Sequence, residues 1–150
     1  MNPLDGELRD GRHTMRVRVY YEDTDFTGIV YHANYLRFME RGRTNYLRLI
    51  GADHRALFEQ TQEEAPGFAF VVRSMTLDWL KPARMDDLLE IVTEPEVVKG
   101  ASITLKQQCR RGDEVLCAAS VRVAFVSEGR ARPIPKPLRI AMKADQDLAR

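Results

Sequence analysis

The sequence predicts an α+β fold in which one long helix precedes an antiparallel sheet. Two observations favour this class. Apolar residues recur at helical spacing over residues 34–50, and from residue 68 onwards they alternate with polar residues as they do in strands. Because the helical and strand patterns are segregated along the chain, they favour a sheet packed on one helix over repeated βαβ units.

Length, composition and charge are those of a single globular domain. The chain has 150 residues, of which 44% are hydrophobic and 30% charged, and its formal net charge is +1. We expect residues 1–10 to form a flexible tail and residues 11–150 to form the domain. The small charge argues against nucleic-acid binding. No apolar run has the roughly 20 residues of a transmembrane helix, and no signal peptide is apparent, so we expect a cytoplasmic protein.

The helical segment has recognisable boundaries. Its apolar stripe continues to residue 50, and Gly51 is expected to cap its C-terminus. Gly42 lies inside the stripe and predicts close approach of another backbone. Asp53 is a candidate N-cap for a short second helix.

Strand patterns flank the helix on both sides. Residues 13–21 alternate and predict a half-buried strand with Tyr21 on its inward face. Four strands in hairpin succession are expected after residue 68, with Pro95 marking a bulge or an edge, and a short helix is expected at the C-terminus. Cys109 and Cys117 are expected to be reduced and buried. Because a single sheet leaves open edges, we expect a homo-oligomer.

The densest polar chemistry lies in YYEDTDFTGIVYHANYLRFMERGR, residues 20–43. Its acids and glycine match the first half of a calcium loop, but the twelfth position is Asn34 where such a loop needs Glu. The three histidines are far apart in sequence and no Cys-x-x-Cys pair is present, which argues against zinc. We therefore expect neither a metal nor a cofactor.

What remains is a polar loop that joins a strand to the start of a helix. Gly28 turns the chain, and the first backbone N–H groups of the helix, around residues 31–34, lack partners within the helix. Such a position favours an oxyanion. A carboxylate a few residues upstream can attack a carbonyl whose oxygen is held there, or activate water against it.

The motif, together with FVVRSMTLDWLKPARMDDLLEI at residues 70–91, resembles the hotdog-fold acyl-CoA thioesterases. The similarity is greatest to the YbgC type, related to 4-hydroxybenzoyl-CoA thioesterase, and extends over residues 13–126. It implies an antiparallel sheet wrapped around one long central helix, with active sites between the subunits of a homodimer or homotetramer. The implied reaction is hydrolysis of short- to medium-chain or aromatic acyl-CoA thioesters.

The resemblance also implies roles for residues. Asp25 corresponds to the essential carboxylate, as nucleophile or general base, and Tyr21 and His32 to the polar residues that accompany it. The backbone amide near His32 is implied to hold the thioester oxygen. Taken alone, each residue also fits a simpler role: Asp25 in a turn or helix cap, His32 in the core, and Tyr21 in strand packing. Asp23 is expected to stabilise the loop.

Further expectations concern the substrate. The phosphates of CoA need cations, and Lys81 and Arg84 in the segment KPAR are the first candidates, while Tyr35, Phe38 and Met75 are expected to line the acyl pocket. Glu40 and Arg43 have the spacing of an ion pair on a helix.

Two other functions remain open. One is a hotdog dehydratase or hydratase, which also uses a histidine and an acid. The other is a non-catalytic protein that binds acyl carrier protein or lipid-synthesis enzymes, a role that the basic bias of residues 130–150 would serve. Acyl carrier protein is also an alternative carrier of the substrate.

Overall fold

A computed structural model describes residues 2–150 and confirms the α+β class, with one antiparallel sheet and one long helix. The strands are β1 (Glu7–Arg9), β2 (Arg12–Arg18), β3 (Ala69–Trp79), β4 (Leu88–Val98), β5 (Ser102–Arg111), β6 (Glu114–Ser127) and β7 (Arg130–Ala131). The helices are α1 (Asn34–Asp53), α2 (Arg55–Glu64) and α3 (Lys136–Ala149). Within the described residues, none of these helices is long and apolar enough to cross a membrane.

The strand order differs from a simple hairpin succession. The order across the sheet is β1-β2-β4-β5-β6-β3, with β7 beside β6. Strands β4, β5 and β6 do form consecutive hairpins, but β3 pairs with β6 and not with β4. Both edges of β4 are already occupied, one by β2 and the other by β5. The expected hairpin between β3 and β4 was therefore wrong, and β3 becomes an edge of the sheet.

Helix α1 packs its apolar stripe against the sheet. Phe38, Met39 and Tyr46 are at most 1% exposed and belong to the main core. At Gly42 a Cβ atom would lie 2.9 Å from Ile91 Cγ2 on β4, too close for any larger residue. The nearest neighbours of Gly42 are therefore side chains of the sheet, and the prediction of another backbone close to Gly42 was wrong.

The C-terminal end of α1 lies further along the chain than the sequence predicted. The helix continues through Gly51 to Asp53, and α2 follows after the single residue His54. A Cβ atom built at Gly51 would lie 3.2 Å from the ring of Phe58, so a larger residue there would have to displace this ring. The glycine therefore serves helix–helix packing, and the predictions of a Gly51 cap and an Asp53 N-cap were wrong.

Residues 3–9 are folded onto the domain, unlike the flexible tail that we expected for residues 1–10, of which Met1 lies outside the described residues. Pro3–Asp5 form a 3₁₀ turn, and β1 pairs with β2. The Asp5 backbone oxygen lies 2.8 Å from His13 Nε2, and its carboxylate lies 3.1 Å from Arg48 Nη1. These contacts attach the segment to β2 and α1. The assignment of residues 11–150 to a single domain stays a prediction.

Several smaller predictions are confirmed. The register of β4 shifts between Pro95 and Val97, as a bulge requires. Cys109 and Cys117 are free, buried register partners, and burial raises the pKa of each thiol to about 12. The C-terminal helix is present as α3. Glu40 and Arg43 form an ion pair at 3.3 Å.

Candidate active site

The loop between β2 and α1 is organised around Asp23. Its carboxylate accepts a hydrogen bond from the Tyr20 amide at 2.9 Å. Its backbone oxygen accepts two more, from the Tyr31 amide at 2.9 Å and from Asn34 Nδ2 at 3.0 Å. Asp23 thus joins the first half of the loop to the start of α1, which is the stabilising role predicted for it.

Asp25 lies two residues further on in the same loop. Its backbone closes a turn in which Gly28 has a φ of +84°, a conformation that favours glycine. One carboxylate oxygen, Oδ1, accepts hydrogen bonds from both the hydroxyl and the amide of Thr27. The other oxygen, Oδ2, has no hydrogen-bond partner within residues 2–150.

Electrostatics keep Asp25 ionised. The hydrogen bond from the Thr27 hydroxyl, followed by the one from the Thr27 amide, lowers the pKa of the carboxyl below its usual value, and nearby His32 adds a smaller contribution. The site therefore presents a carboxylate with one free oxygen at neutral pH.

His32 is exposed just before α1, between two aromatic rings. The Tyr31 ring lies 4.6 Å from the imidazole, and the Trp79 ring meets it edge-on at 5.6 Å. The Trp79 indole nitrogen also donates a hydrogen bond to the backbone oxygen of His32 at 3.0 Å. His32 is therefore not the core histidine that its sequence context also allowed.

Two backbone amides just before α1 have no hydrogen-bond acceptor among the described residues. The Tyr31 amide donates to Asp23 and the Asn34 amide donates to the Tyr31 oxygen at 2.8 Å. The amides of His32 and Ala33 have no acceptor among the described residues. Of the four amides from residue 31 to residue 34, these two remain available at the positive end of the helix dipole.

Tyr21 does not lie where the sequence placed it. Strand β2 ends at Arg18, and Tyr21 begins a 3₁₀ turn in which its side chain is 82% exposed. The turn breaks the alternation that predicted an inward face, so the packing interpretation was wrong. Its role in the reaction stays a prediction.

A cavity of about 280 Å³ adjoins His32. Tyr35 lines it, and its hydroxyl accepts a hydrogen bond from the Ala83 amide at 3.1 Å. Phe38 is buried in the core, and neither Phe38 nor Met75 lines this cavity, so the predicted lining of the acyl pocket stays a prediction. The lining residues are Ile29, Val30, His32, Tyr35, Trp79, Leu80, Lys81 and Pro82.

The predicted phosphate-binding cations differ in their partners. Lys81 forms an ion pair with Glu114 at 3.0 Å. The Arg84 guanidinium is exposed and has no partner in the described part of the chain, and its backbone forms a β-bridge with Ile29 of the loop. Arg111, which the sequence did not single out, bonds Asp87 at 2.8 Å and supports this segment.

Among residues 2–150, no three histidine, cysteine or acidic side chains lie together as ligands of a metal would.

Known proteins resemble this chain in both sequence and fold. A family model described as the thioesterase superfamily matches residues 27–118. The acyl-CoA thioesterase YbgC of Haemophilus influenzae is 43% identical over 133 residues, which cover 89% of this chain and 94% of that protein. The acyl-CoA thioester hydrolase YbgC of Escherichia coli O6:H1 is 42% identical over 131 residues, covering 87% and 93%.

Solved structures agree with these relatives. A probable thioesterase from Bartonella henselae has a TM-score of 0.69 and 37% identity, covering 83% of this chain and 99% of its own. A 4-hydroxybenzoyl-CoA thioesterase mutant, solved with 4-hydroxybenzoyl-CoA, has a TM-score of 0.75 and 24% identity, covering 88% and 98%. The second likeness concerns the fold alone.

Proposed function

The chain belongs to the thioesterase superfamily and has its hotdog fold, and from this premise we propose that it hydrolyses acyl-CoA thioesters to a free acid and CoA. The observation that carries the proposal lies in one loop. Asp25 offers a free carboxylate oxygen, and seven and eight residues later the amides of His32 and Ala33 offer two free donors. A thioester needs these two groups most: a nucleophile or base, and donors for its oxygen.

In the proposed reaction the two amides hold the carbonyl oxygen as it gains negative charge. Asp25 Oδ2 attacks the carbonyl carbon and forms a mixed anhydride, the C–S bond breaks, and CoA leaves as a thiolate that takes a proton from solvent. Water then cleaves the anhydride and regenerates the carboxylate. A thiol is far more acidic than an alcohol, so the thiolate of CoA is a good leaving group and the step requires no strong general acid.

Asp25 can instead act as a general base that removes a proton from an attacking water. The lowered pKa of Asp25 keeps the carboxylate ionised, which both routes require.

Other residues are proposed to bind the substrate. His32 lines the cavity beside the free amides and would contact the thioester. Tyr21 would reach the acyl-CoA from the exposed side of the loop. For the CoA phosphates Arg84 is the stronger candidate, because Lys81 is already paired with Glu114.

We also propose that the chain forms a homodimer through β3. This strand has eleven residues, pairs on one side only and carries exposed Val71, Val72 and Trp79. The opposite edge of the sheet, β1, has only three residues. A long apolar edge of this kind is usually covered in proteins, and pairing two copies about a two-fold axis would cover it. Light scattering tests the mass, with a tetramer or a monomer as the other outcomes.

This dimer would supply the acyl pocket. A second cavity, of about 310 Å³ and mostly apolar, lies between α1 and residues 70–72 at one end of β3, whereas Trp79 lies at the other end. Antiparallel pairing would bring the cavity of one copy towards the catalytic loop of the other. Its size and lining support short- to medium-chain or aromatic acyl groups.

The test is release of free thiol from acetyl-, hexanoyl-, decanoyl- and benzoyl-CoA by the wild type and by Asp25→Asn. Loss of release in the variant supports the proposal, and undiminished release would contradict the role of Asp25. Consumption of an enoyl-CoA without free thiol would identify a hydratase, and no turnover at all would favour a binding protein. The same acyl groups on acyl carrier protein test that alternative carrier. Cytoplasmic localisation stays a prediction of the sequence.

A further inference from the structure

We propose that Trp79 is a positioning residue for the reaction, acting through the hydrogen bond from its indole nitrogen to the backbone oxygen of His32. The inference rests on the proposed function, because it concerns the two amides that would hold the thioester oxygen. One of these amides would be oriented by Trp79, a strand residue 47 positions away from His32 in the sequence.

The planarity of the peptide bond links the two ends of each peptide unit. When the carbonyl oxygen of a unit is fixed, the N–H group of the same unit points in the opposite direction and is fixed as well. The free N–H of His32 shares its unit with the Tyr31 oxygen, and the free N–H of Ala33 shares its unit with the His32 oxygen.

Different partners hold these two carbonyl oxygens. The Tyr31 oxygen accepts a hydrogen bond from the Asn34 amide at 2.8 Å, so the first turn of the helix itself orients the His32 amide. The His32 oxygen accepts its hydrogen bond from Trp79 at 3.0 Å. The orientation of the Ala33 amide therefore depends on Trp79. The same bond polarises the peptide unit and strengthens its N–H as a donor.

Trp79 and the residues after it are hydrogen-bonded to the neighbouring strand β6. It is the last residue of β3 and the register partner of the buried Cys117 on β6. The next two amides, of Leu80 and Lys81, both donate to the Leu116 oxygen, at 2.8 and 3.1 Å. A donor on such an element holds its acceptor more accurately than a donor on a free loop does.

Two contacts of Trp79 with His32 need to be separated experimentally. The ring packs edge-on against the imidazole, and the indole nitrogen bonds the backbone oxygen. Trp79→Phe keeps an aromatic ring and removes the donor. Trp79 is also the only tryptophan in the chain, so a benzothiophene analogue, in which sulfur replaces the N–H, can be incorporated at this single position.

The experiment measures thiol release from the best acyl-CoA of the panel by the wild type, Trp79→Phe and the benzothiophene protein. We expect kcat to fall about 3- to 10-fold in both variants, the effect of one neutral hydrogen bond, with KM unchanged. Tyr20→Phe is the matched control: it changes an exposed aromatic side chain of the same loop, makes no bond to the His32 oxygen, and is expected to keep the wild-type kcat.

Amide NMR spectra supply a readout that a general loss of stability would not reproduce. On Trp79→Phe the amide signal of Ala33 should shift, while that of His32, whose peptide unit is held by Asn34, should stay near its wild-type position. Equal shifts of both signals would overturn the inference. If Trp79→Phe lowers the melting temperature by more than a few degrees, the kcat of the benzothiophene protein alone tests the role of the hydrogen bond.

The remaining outcomes separate this inference from the proposed function. An active wild type with unchanged kcat in both Trp79 variants would overturn the role of Trp79 and leave the thioesterase intact. A rise in KM alone would make Trp79 a substrate contact and overturn the positioning role. A wild type without thioesterase activity would overturn both.

Discussion

Two polar clusters contact helix α1, and they differ in how fully their hydrogen-bonding groups are used. At the start of the helix, Asp25 has a free carboxylate oxygen and two neighbouring amides have no partner within residues 2–150. Halfway along the helix, Gln107 from β5 is fully buried and every polar group of its amide is bonded. The open cluster has binding capacity left for a ligand, whereas the closed one has none.

The closed cluster holds helix α1 in a fixed position on the sheet. Gln107 Nε2 donates to the Met39 backbone oxygen and to Thr93 Oγ1, both at 2.9 Å. Its Oε1 accepts from Arg43 Nη1 at 2.9 Å. Gly42, with no side chain, leaves the space that this network occupies. A buried polar network with all groups satisfied stabilises one arrangement of the two elements.

The largest expected effect is on the open cluster. Asp25→Asn keeps the shape of the side chain and removes the charge, so we expect kcat to fall by about 10²–10⁴-fold with little change in melting temperature. Thiol release and thermal unfolding measure the two quantities. Glu22→Gln, an exposed acid of the same loop, is the matched control and should keep its activity. Equal losses in both variants would mean that net charge matters and not the position of Asp25.

The next largest effect is expected at the closed cluster. Gln107→Ala leaves the Met39 oxygen and the Arg43 guanidinium without their buried partner, and we expect a loss of about 3 kcal/mol in the free energy of unfolding. Urea unfolding measures it. Gln108→Ala, one residue along the same strand and less buried, should cost well under 1 kcal/mol. A similar small cost at both positions would contradict the importance of the network.

Gly42→Ala sharpens the comparison within the closed cluster. The added Cβ would lie 2.9 Å from Ile91 Cγ2 and 3.0 Å from Thr93 Oγ1, so we expect overpacking to cost about 1–3 kcal/mol. Gly100→Ala is the control, because nothing lies within 4 Å of a Cβ there. Thermal unfolding of the two variants, together with kcat, checks the prediction. An unchanged melting temperature for Gly42→Ala would show that the sheet adjusts without cost.

The smallest effect concerns the buried His13, which is the register partner of Thr93 in the closed cluster. Burial lowers the pKa of His13 below its ordinary value of 6.5, against the opposing effects of the Asp5 backbone and carboxylate. The unfolded chain therefore binds a proton more readily than the folded one, and stability is lost as the pH falls below 6.5. His13→Gln should reduce the change in melting temperature between pH 7 and pH 5. His54→Gln, at an exposed position, should leave that change as it is in the wild type.

Local patterns predicted most of the helix and strands because burial on one face leaves a periodic trace in the sequence. The stripe of α1 and the alternation in β4, β5 and β6 are such traces. The boundaries were less certain where packing between elements overrides a local signal. Gly51 looked like a helix end because of its residue type, but it lies inside α1 because Phe58 packs against it.

The candidate site also has features that the local sequence predicted and features that it did not. The motif around Asp25 and His32 is contiguous, so the sequence alone placed the carboxylate, the turn at Gly28 and the start of the helix in one loop. The exposure of Tyr21 was missed because the Asp23 side chain closes a turn there and ends the strand alternation.

The sequence by itself determined the α+β class, the family and the polar loop, since these depend on residue types close together in the chain. Only the tertiary structure decided that β3 lies at the sheet edge beside β6, and that Trp79 reaches the His32 oxygen. The reason is physical: strand pairing and hydrogen bonds between distant segments depend on which edges and acceptors other elements have already occupied, and no local pattern records that.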